Sequence, residues 1–354
     1  MRTLTVDGPP RPHAARQHGK VTLEDVARRA GVSRATVSRV VNSVGPISER
    51  TRVLVTAAIK ELGYRPDLHA RSLAGGKTGV VGALTAGLTS SYLTTIVEHF
   101  DAALASYGLD LMLCSTQFRG PEADYVHRIT RGVVDGLLIV CPTALGSYIE
   151  DLQRRQFPHV LVDVDVEATG GGSTAIGFDN EGGVTAAVQH LLALGHRRFG
   201  FVTGDLASPA ARERLDAYTR VLQAAGVPPA NSLVVEGDWS ERSGYAAGKA
   251  LFSAATRPTA IVVSNDLEGL GVLRAARDCD VTVPADVSIV GWDDIPEAAS
   301  VHPRLTTVRQ PLSEIGRAAA RLLHEQITRP GTVTSGTRLG AQLVVRETTA
   351  PAPA

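Results

Sequence analysis

The sequence has few cysteines and no long apolar run, and these two features argue against several classes of protein. Its 354 residues contain three cysteines, far apart and without the spacing of metal ligands: Cys114, Cys141 and Cys279. Such a set predicts reduced thiols in a cytosolic protein rather than a disulfide framework or a metal site. No apolar stretch approaches the length that crosses a bilayer. Residues 1–20 hold three prolines and no apolar core, so we interpret them as a disordered arm and not as a secretory signal.

The sequence also lacks the short motifs of common catalytic sites. No G-x-G-x-x-G, G-x-S-x-G or H-E-x-x-H pattern occurs. Lys77-Thr78 after Gly75-Gly76 fails as a phosphate-binding loop, because Arg71 stands at the required glycine position. We therefore expect no enzyme activity, no cofactor and no metal. The end of the chain has no leucine heptads, so a tetramerising coiled coil is not expected there.

A net charge of zero conceals an uneven distribution of charge. Residues 1–77 hold 14 basic and 6 acidic side chains, whereas the remaining residues hold 22 basic and 30 acidic ones. A basic amino-terminal part on an acidic remainder is typical of a nucleic-acid-binding unit joined to a larger domain. The chain length and the 44% hydrophobic content indicate two or three packed domains in a globular protein.

Residues 21–42 have the pattern of two short helices joined by a tight turn. Thr22 and Asp25 form a capping-box pattern at the start of the first helix, and Gly31 supplies the permissive backbone of the turn. The second helix has an apolar side formed by Val37, Val40 and Val41. Its opposite side is polar, which favours a helix-turn-helix unit that reads the major groove. The alternative is an ordinary helical hairpin with a solvated polar face.

Two further helices are expected after this motif. The first runs from Ser48 as its N-cap to Gly63 as its stop. Pro66 then breaks the helix, and a second short helix extends to Gly75-Gly76. The pattern predicts a helix-turn-helix domain at 21–65 and a hinge helix with a linker at 66–77.

This part of the chain closely resembles the lac repressor family of transcription regulators (LacI/GalR type). The shared residues are Val21-Thr22-Leu23, Asp25-Val26-Ala27, Ala30-Gly31-Val32-Ser33, Thr36-Val37-Ser38-Arg39-Val40, Asn42, Thr51-Arg52, Leu62-Gly63-Tyr64, Pro66 and Ala70-Arg71-Ser72-Leu73. The resemblance implies a homodimer that binds a palindromic, double-stranded operator. It also implies that the hinge becomes helical when paired on DNA.

The predicted DNA contacts follow from this resemblance and from the chemistry of base recognition. Arg34, Ala35 and Arg39 are the exposed candidates for reading sequence, since arginine most often reads guanine. Leu73 would wedge into the minor groove at the centre of the operator. The full predicted set is Thr22, Ser33, Arg34, Ala35, Thr36, Ser38, Arg39, Asn42, Ala70 and Leu73.

From residue 78 onward, apolar strands alternate with amphipathic helices. Strands are expected at 79–86, 109–115, 134–140, 159–164, 175–178, 198–203, 232–236, 260–263 and 287–291. Continuous apolar strands with crossover helices predict parallel sheets covered on both faces, and two successive sets predict two Rossmann-like lobes. The expected fold is therefore multidomain, an all-α helix-turn-helix headpiece plus an α/β bilobed effector domain.

The family resemblance extends through this region and implies an effector domain like the periplasmic sugar-binding proteins. We expect this ligand-binding and dimerisation domain at 78–347, followed by a tail at 348–354. Lobe 1 is expected at about 78–174 and 308–335, and lobe 2 at about 175–307 and 336–347. Because ligands bind beyond the carboxyl ends of parallel strands, the effector is expected between the lobes.

The resemblance places Asp163, Arg214, Trp239, Asn265 and Asp293 in that cleft, and Tyr92 could add an aromatic wall. Carboxylates and amides accept hydrogen bonds from hydroxyls, and an indole offers a flat apolar face, which together suit a sugar. A purine or nucleoside effector stays open, because an indole stacks on bases as readily.

Plainer interpretations stand beside these assignments. Asp179 and Asp266 are candidates to cap the helices that follow them, and Arg214 could pair with an acid on its own helix. A solute-binding protein serving a transporter would share the two lobes, but residues 21–77 and the absence of a secretory signal argue against it. The prediction is a cytoplasmic, DNA-associated repressor under allosteric control, with no membrane partner.

Overall fold

The computed structural model describes residues 21–42, 45–64, 77–88, 90–116, 122–142, 146–333 and 336–353. The chain divides into two units, Met1–Gly76 and Lys77–Ala354. The expected arm and most of the expected hinge, including Ala70 and Leu73, lie outside the described residues. Within these ranges no helix is both long and apolar enough to cross a membrane. The same ranges contain no group of three or more His, Cys, Asp or Glu residues suited to a metal ion.

The first unit contains three helices, which are α1 (Leu23–Ala30), α2 (Arg34–Asn42) and α3 (Glu49–Leu62). The predicted capping box starts α1, since Asp25 N donates to Thr22 Oγ1 and Thr22 N donates to Asp25 Oδ2. Gly31 ends α1 at φ 68°, a left-handed conformation that glycine adopts without steric cost. The helices pack around a small core formed by Val26, Ala27, Val37, Val40, Val55 and Ala58.

The first lobe of the second unit is built on a six-stranded parallel sheet. Its strands are β1 (Val80–Thr85), β2 (Asp110–Ser115), β3 (Gly136–Val140), β4 (His159–Val162), β5 (Thr174–Phe178) and β11 (Thr337–Leu339). They lie in the order β11-β5-β4-β3-β1-β2. The helices of this lobe are α4 (Ser91–Ser106), α5 (Glu122–Ile129), α6 (Ser147–Arg154) and α12 (Leu312–Thr328). Gly316 lets α12 approach α4 closely, because a Cβ there would lie 2.7 Å from Ile96 O.

The second lobe is built on a separate six-stranded sheet. Its strands are β6 (Phe199–Thr203), β7 (Ser232–Glu236), β8 (Ala260–Val263), β9 (Ser288–Asp293), β10 (Thr306–Arg309) and β12 (Gln342–Val344). They lie in the order β12-β10-β9-β8-β6-β7, with β12 antiparallel to β10. The helices are α7 (Asn180–Ala193), α8 (Pro209–Ala224), α9 (Glu241–Phe252), α10 (Asp266–Asp278) and α11 (Pro296–Ser300). The expected bilobed α/β architecture is confirmed.

The lobe boundaries differ from those expected. The prediction placed 175–307 and 336–347 in lobe 2, but β5 and β11 pair with each other in the sheet of lobe 1. The prediction also began the return to lobe 1 at 308, whereas β10 continues to Arg309 in the sheet of lobe 2. Short strands near a crossover carry the same apolar pattern in either sheet, so only their long-range pairing decides the boundary.

The residues expected as a tail pack into lobe 2. Thr348 is fully buried, donates from Oγ1 to Ile289 O and accepts from Ile289 N through its own carbonyl. His196, also fully buried, lies 3.0 Å from Ala350 O and 3.0 Å from Thr259 Oγ1 through its two ring nitrogens. Residues 348–353 therefore continue the packing of β9 and are part of the lobe.

Candidate functional site

The exposed side of α2 carries the residues predicted to read DNA. Val37 and Val40 are buried, whereas Arg34, Ala35 and Arg39 are exposed. The guanidinium groups of Arg34 and Arg39 thus extend from the side of the helix away from the core. A short helix with an exposed arginine face has the shape and the donors for a major groove.

Three of the residues predicted to contact DNA also stabilise the starts of helices. Thr22 belongs to the capping box of α1, and Ser33 caps α2 by accepting from Thr36 N at 3.1 Å. The hydroxyls of Ser33 and Thr36 share a hydrogen bond of 2.9 Å. Ser38 is half-buried, and Asn42 is the last residue of α2. The geometry therefore separates the residues that shape the helix from the exposed arginines.

Lobe 1 contributes Tyr92, Cys141 and Asp163. Tyr92 lies in the first turn of α4, and Cys141 and Asp163 directly follow β3 and β4. Tyr92 Oη and Cys141 Sγ both donate to Asp163 Oδ2, at 3.0 and 3.2 Å. Burial raises the pKa of Tyr92 well above its usual range, and the Asp163 carboxylate adds to that rise. Both donors therefore stay protonated and fix one oxygen of the carboxylate.

Lobe 2 contributes a buried guanidinium. Arg214, only 3% exposed, donates from Nε to Asn180 Oδ1 at 2.9 Å and from Nη1 to Ser264 O at 2.6 Å. Its guanidinium carbon lies 4.3 Å from the centre of the Trp292 ring and 5.6 Å from that of Trp239. The expected alternative, an ion pair with an acid on its own helix, is wrong, because within the described part of the chain Arg214 bonds to Asn180 and Ser264 and forms no ion pair with such an acid.

Trp239 and Asn265 are held together. Asn265 caps α10 by accepting from Glu268 N at 2.8 Å, and its Nδ2 donates to Trp239 O at 2.9 Å. Asn265 therefore uses its amide oxygen and one N–H for the protein itself. Its clearest role in the structure is to position the Trp239 loop.

Asp293 lies at the end of β9, where charged groups of both lobes affect its protonation. Burial raises the pKa of Asp293 well above its usual range, the Arg214 guanidinium opposes the rise, and the charges of Asp266 and Asp163 add to it. Gln310 donates from Nε2 to Asp293 Oδ1 at 2.8 Å. The buried Gln310 Oε1 has no partner among the described residues. We call Tyr92, Cys141, Asp163, Arg214, Trp239 and Asp293 the cleft residues.

Several cleft residues have an unusual backbone conformation. Cys141, Asp163, Trp239 and Asp293 have φ values of 50°, 60°, 69° and 113°, a region that L side chains rarely adopt. Each follows or ends a parallel strand. Strained non-glycine residues concentrate at functional sites, so this clustering at the strand ends singles out the cleft.

The two candidate caps behave differently. Asp179 caps α7 by accepting from Gly182 N at 2.8 Å, which confirms the plainer interpretation. Asp266 is not a cap, because Asn265 has that position. It is fully buried and accepts from Thr307 Oγ1 at 2.6 Å and from Ile295 N at 2.9 Å. Asp266 thereby ties α10 to the segments that flank α11.

We expect the burial of Asp266 to make the stability of the protein depend on pH. Burial raises the pKa of Asp266 from 3.8 to about 7. Between these two pKa values the folded state thus keeps a proton that the unfolded state releases. The contribution of Asp266 to stability is therefore complete below about pH 4 and is lost as the pH rises through about 7. The loss amounts to about 4 kcal/mol at most. The melting temperature of Asp266→Asn should fall less between pH 5 and pH 8 than that of the wild-type protein.

Asparagine can keep both hydrogen bonds, because Nδ2 can donate to Thr307 Oγ1 while Oδ1 accepts from Ile295 N. The control is Asp216→Asn on the exposed side of α8, which should follow the wild-type profile. Equal slopes for wild type and Asp266→Asn would contradict the assignment.

Three residues near the cleft were not among the predicted ligand contacts, namely Cys141, Glu268 and Gln310. Cys141 and Gln310 directly follow β3 and β10, so the rule of strand ends could have found both. No sequence signal distinguished Glu268, because its position on α10 is one that an apolar residue could fill.

Known proteins resemble both units of the chain. Residues 22–67 match the profile of bacterial regulatory proteins of the lacI family, and residues 188–349 match a periplasmic binding protein-like domain. The HTH-type transcriptional repressor PurR of Edwardsiella ictaluri (strain 93-146) is 32% identical over 334 residues, 94% of this chain and 98% of that protein.

Solved structures give the same result. The lac repressor dimer bound to operator and the anti-inducer ONPF matches with a TM-score of 0.82 at 32% identity, covering 94% of this chain and 100% of that one. The transcriptional regulator CelR in complex with cellobiose matches with a TM-score of 0.71 at 33% identity, covering 93% and 99%. With this identity over nearly its whole length, and with both matching domains in the same order, the chain belongs to the lacI family of bacterial regulatory proteins, DNA-binding regulators of transcription that are not enzymes.

Proposed function

We propose that this regulator represses transcription in the cytoplasm by binding a palindromic operator as a homodimer, and that a sugar bound at the cleft residues sets its operator affinity. The observation that carries the effector assignment is the convergence of Asp163, Asp293 and Arg214 beside the Trp239 ring. The α2 arginines supply the DNA-reading part of the proposal.

The cleft residues have the chemistry that a sugar requires. The free carboxylate oxygens of Asp163 and Asp293 can accept hydrogen bonds from hydroxyls, and the Arg214 guanidinium can donate to hydroxyl oxygens in a fork. The Trp239 ring offers an apolar surface to the face of a pyranose. The Asp163 carboxylate in the same site disfavours an anionic ligand, so we expect a neutral sugar.

Two of the related structures support this proposal. The CelR complex holds a neutral disaccharide, cellobiose, and the lac repressor dimer is bound to operator together with a small-molecule anti-inducer. The second candidate is a purine or nucleoside. The observation that favours it is the partly exposed Trp239 ring, on which a base could stack.

The coupling to DNA would use contacts between the lobes and at the entrance to lobe 1. Ser91 Oγ of α4 donates to Glu297 Oε1 of α11 at 2.6 Å, which joins the two lobes. Where the chain enters lobe 1, Asp135 accepts from Thr78 N and Gly79 N, both at 2.7 Å. A ligand that changes the angle between the lobes would alter the first contact, and the second would carry the movement of lobe 1 to the linker.

The test has two steps. Thermal shifts against neutral sugars, acidic sugars and nucleosides identify a ligand, since a compound that binds the folded state raises its melting temperature. Calorimetric titration of that ligand, with and without operator, then measures the coupling. Because coupling is reciprocal, operator must change ligand affinity by the same factor, roughly 5- to 150-fold, by which ligand changes operator affinity. Equal ligand affinities in the two titrations would exclude the regulatory role.

We assign the homodimer contact to the β2 edge of lobe 1. Among the described residues no strand pairs with its outer side, and Leu113 on it is 44% exposed. An exposed apolar edge strand is a ready surface for a second chain. Leu113→Lys should shift the protein from dimer to monomer in analytical ultracentrifugation. Operator affinity should fall at least tenfold, because each headpiece would then bind alone.

The matched control for this variant is Val234→Lys, on the β7 edge of lobe 2, where Val234 is 48% exposed. It introduces the same charge on an edge strand of the same protein and should leave the dimer intact. Dissociation by Val234→Lys together with a stable Leu113→Lys dimer would move the interface to lobe 2.

A further inference from the structure

Glu268 of α10 carries a carboxyl group in the interior of lobe 2, and no cation of the described residues is bonded to it. Its residue is fully buried. Oε1 accepts from Trp239 N at 3.0 Å and from Ser243 Oγ at 3.4 Å, whereas the buried Oε2 has no partner among the described residues. A buried acid is costly unless it is neutral or fully hydrogen-bonded. Its presence under the Trp239 loop therefore calls for an explanation.

The peptide of Trp239 is held from both ends. Glu268 binds its N–H, Asn265 Nδ2 binds its carbonyl, and its φ is 69°. The indole ring lies against Gly204, where a Cβ would come within 2.2 Å of the ring. The ring direction therefore depends on a backbone conformation that is rare for tryptophan and that Glu268 helps to maintain.

The room for this carboxyl group comes from a second glycine. A Cβ on Gly237 would lie 2.0 Å from Glu268 Oε1. The loop that carries Gly237 and Trp239 thus forms the cover over the carboxyl group. Hydration of Glu268 requires that this cover move, because the residue is fully buried and Ser243 of α9 contacts the same carboxyl group.

The charged groups around Glu268 set its protonation. Burial raises the pKa of Glu268 to about 8, the bonds from Trp239 N–H and Ser243 oppose the rise, and the charge of Asp238 adds to it. Arg214, from α8, lowers the pKa slightly. The group is therefore mainly neutral at pH 7 and mainly ionised at pH 9.

We propose that Glu268 is a positioning residue for the effector site, whose neutral carboxyl group fixes the Trp239 loop and whose ionisation releases it. The inference rests on the proposed function only in taking Trp239 as a wall of the effector site. In the ionised form the buried Oε2 carries charge without a donor among the described residues. The water that solvates it can enter only when the Trp239 loop moves. Ligand affinity falls above pH 8, although Glu268 itself does not touch the ligand.

The test measures tryptophan fluorescence as a function of pH rather than ligand binding. The chain has two tryptophans, Trp239 and Trp292. Excitation at the red edge of indole absorption selects their fluorescence, and acrylamide quenching then measures how accessible the two rings are to solvent. In wild type the quenching should rise in one step with a midpoint near pH 8, as the loop opens. The step should vanish in Trp239→Phe, which assigns it to the loop, and in Glu268→Gln, which keeps the acceptor and removes the proton.

Asp238→Asn is the control, because it alters a neighbouring carboxylate on the same loop without removing Glu268, and it should keep the step. A step that persists in Glu268→Gln overturns the proposal. So does a flat wild-type profile between about pH 6 and about pH 10, and that result needs no folded variant. The quenching experiment contains no ligand, so it remains a valid test of the Glu268 proposal even if no sugar binds. A negative quenching result in turn leaves the sugar proposal standing.

Discussion

At ligand concentrations just sufficient to saturate the wild-type protein, replacing Arg214 with methionine removes most of the effect of ligand on operator binding and leaves the operator affinity of the ligand-free protein close to that of wild type. The guanidinium is 3% exposed and holds both Asn180 and Ser264. Its removal takes away the donor for ligand hydroxyls and leaves buried acceptors without a partner. Such a loss costs about 3 kcal/mol, roughly 100-fold in ligand affinity.

Two further variants make this prediction specific. Arg214→Lys keeps the charge but loses the planar fork and the contact with the Trp292 ring, so it should recover only part of the affinity. Arg220→Ala removes an exposed arginine of the same helix, paired with Glu181, and should bind ligand as wild type does. A normal ligand response in a folded Arg214→Met protein would remove Arg214 from the site.

Loss of the α2 arginines is expected to remove sequence preference rather than all DNA binding. Arg34→Ala and Arg39→Ala each take one exposed guanidinium from the reading side of α2. A bidentate contact between arginine and guanine is worth about 1–3 kcal/mol of discrimination, so each change should lower the ratio of operator to random-duplex affinity by ~10- to 100-fold. Competition binding at fixed salt measures that ratio.

Lys60→Ala provides the comparison, because Lys60 is an exposed cation of α3 in the same unit. If Lys60 contacts a phosphate, its loss should weaken binding to both duplexes alike and leave the ratio of operator to random-duplex affinity unchanged. If the two arginine variants also weaken both duplexes equally, α2 binds the DNA backbone and the sequence is read elsewhere.

Local signals made the first unit predictable. Caps, helix stops and the valine side of α2 act within a few residues, so Thr22, Asp25, Gly31 and Ser33 could be assigned before any tertiary contact was known. The alternating strands and helices of the second unit were equally local. The strand-end rule indicated Asp163, Trp239 and Asp293, and the family resemblance added Arg214.

What the sequence could not provide depends on distant partners. β5 and β11 are placed in lobe 1 by pairing across more than a hundred residues, and residues 348–353 join lobe 2 through His196 and Ile289. Glu268 resembles any polar residue of a helix until its burial and its bond to Trp239 are known. Side-chain roles in the interior therefore required the three-dimensional structure.

The most direct test of ligand-controlled DNA recognition is to select duplexes from a random pool with the full-length protein, and to measure the affinity of the selected and a shuffled duplex with and without ligand. We expect a palindrome bound ~10³-fold or more tightly than its shuffled counterpart in one ligand state, with that preference altered in the other. Equal affinity for both duplexes in every ligand state would contradict the account.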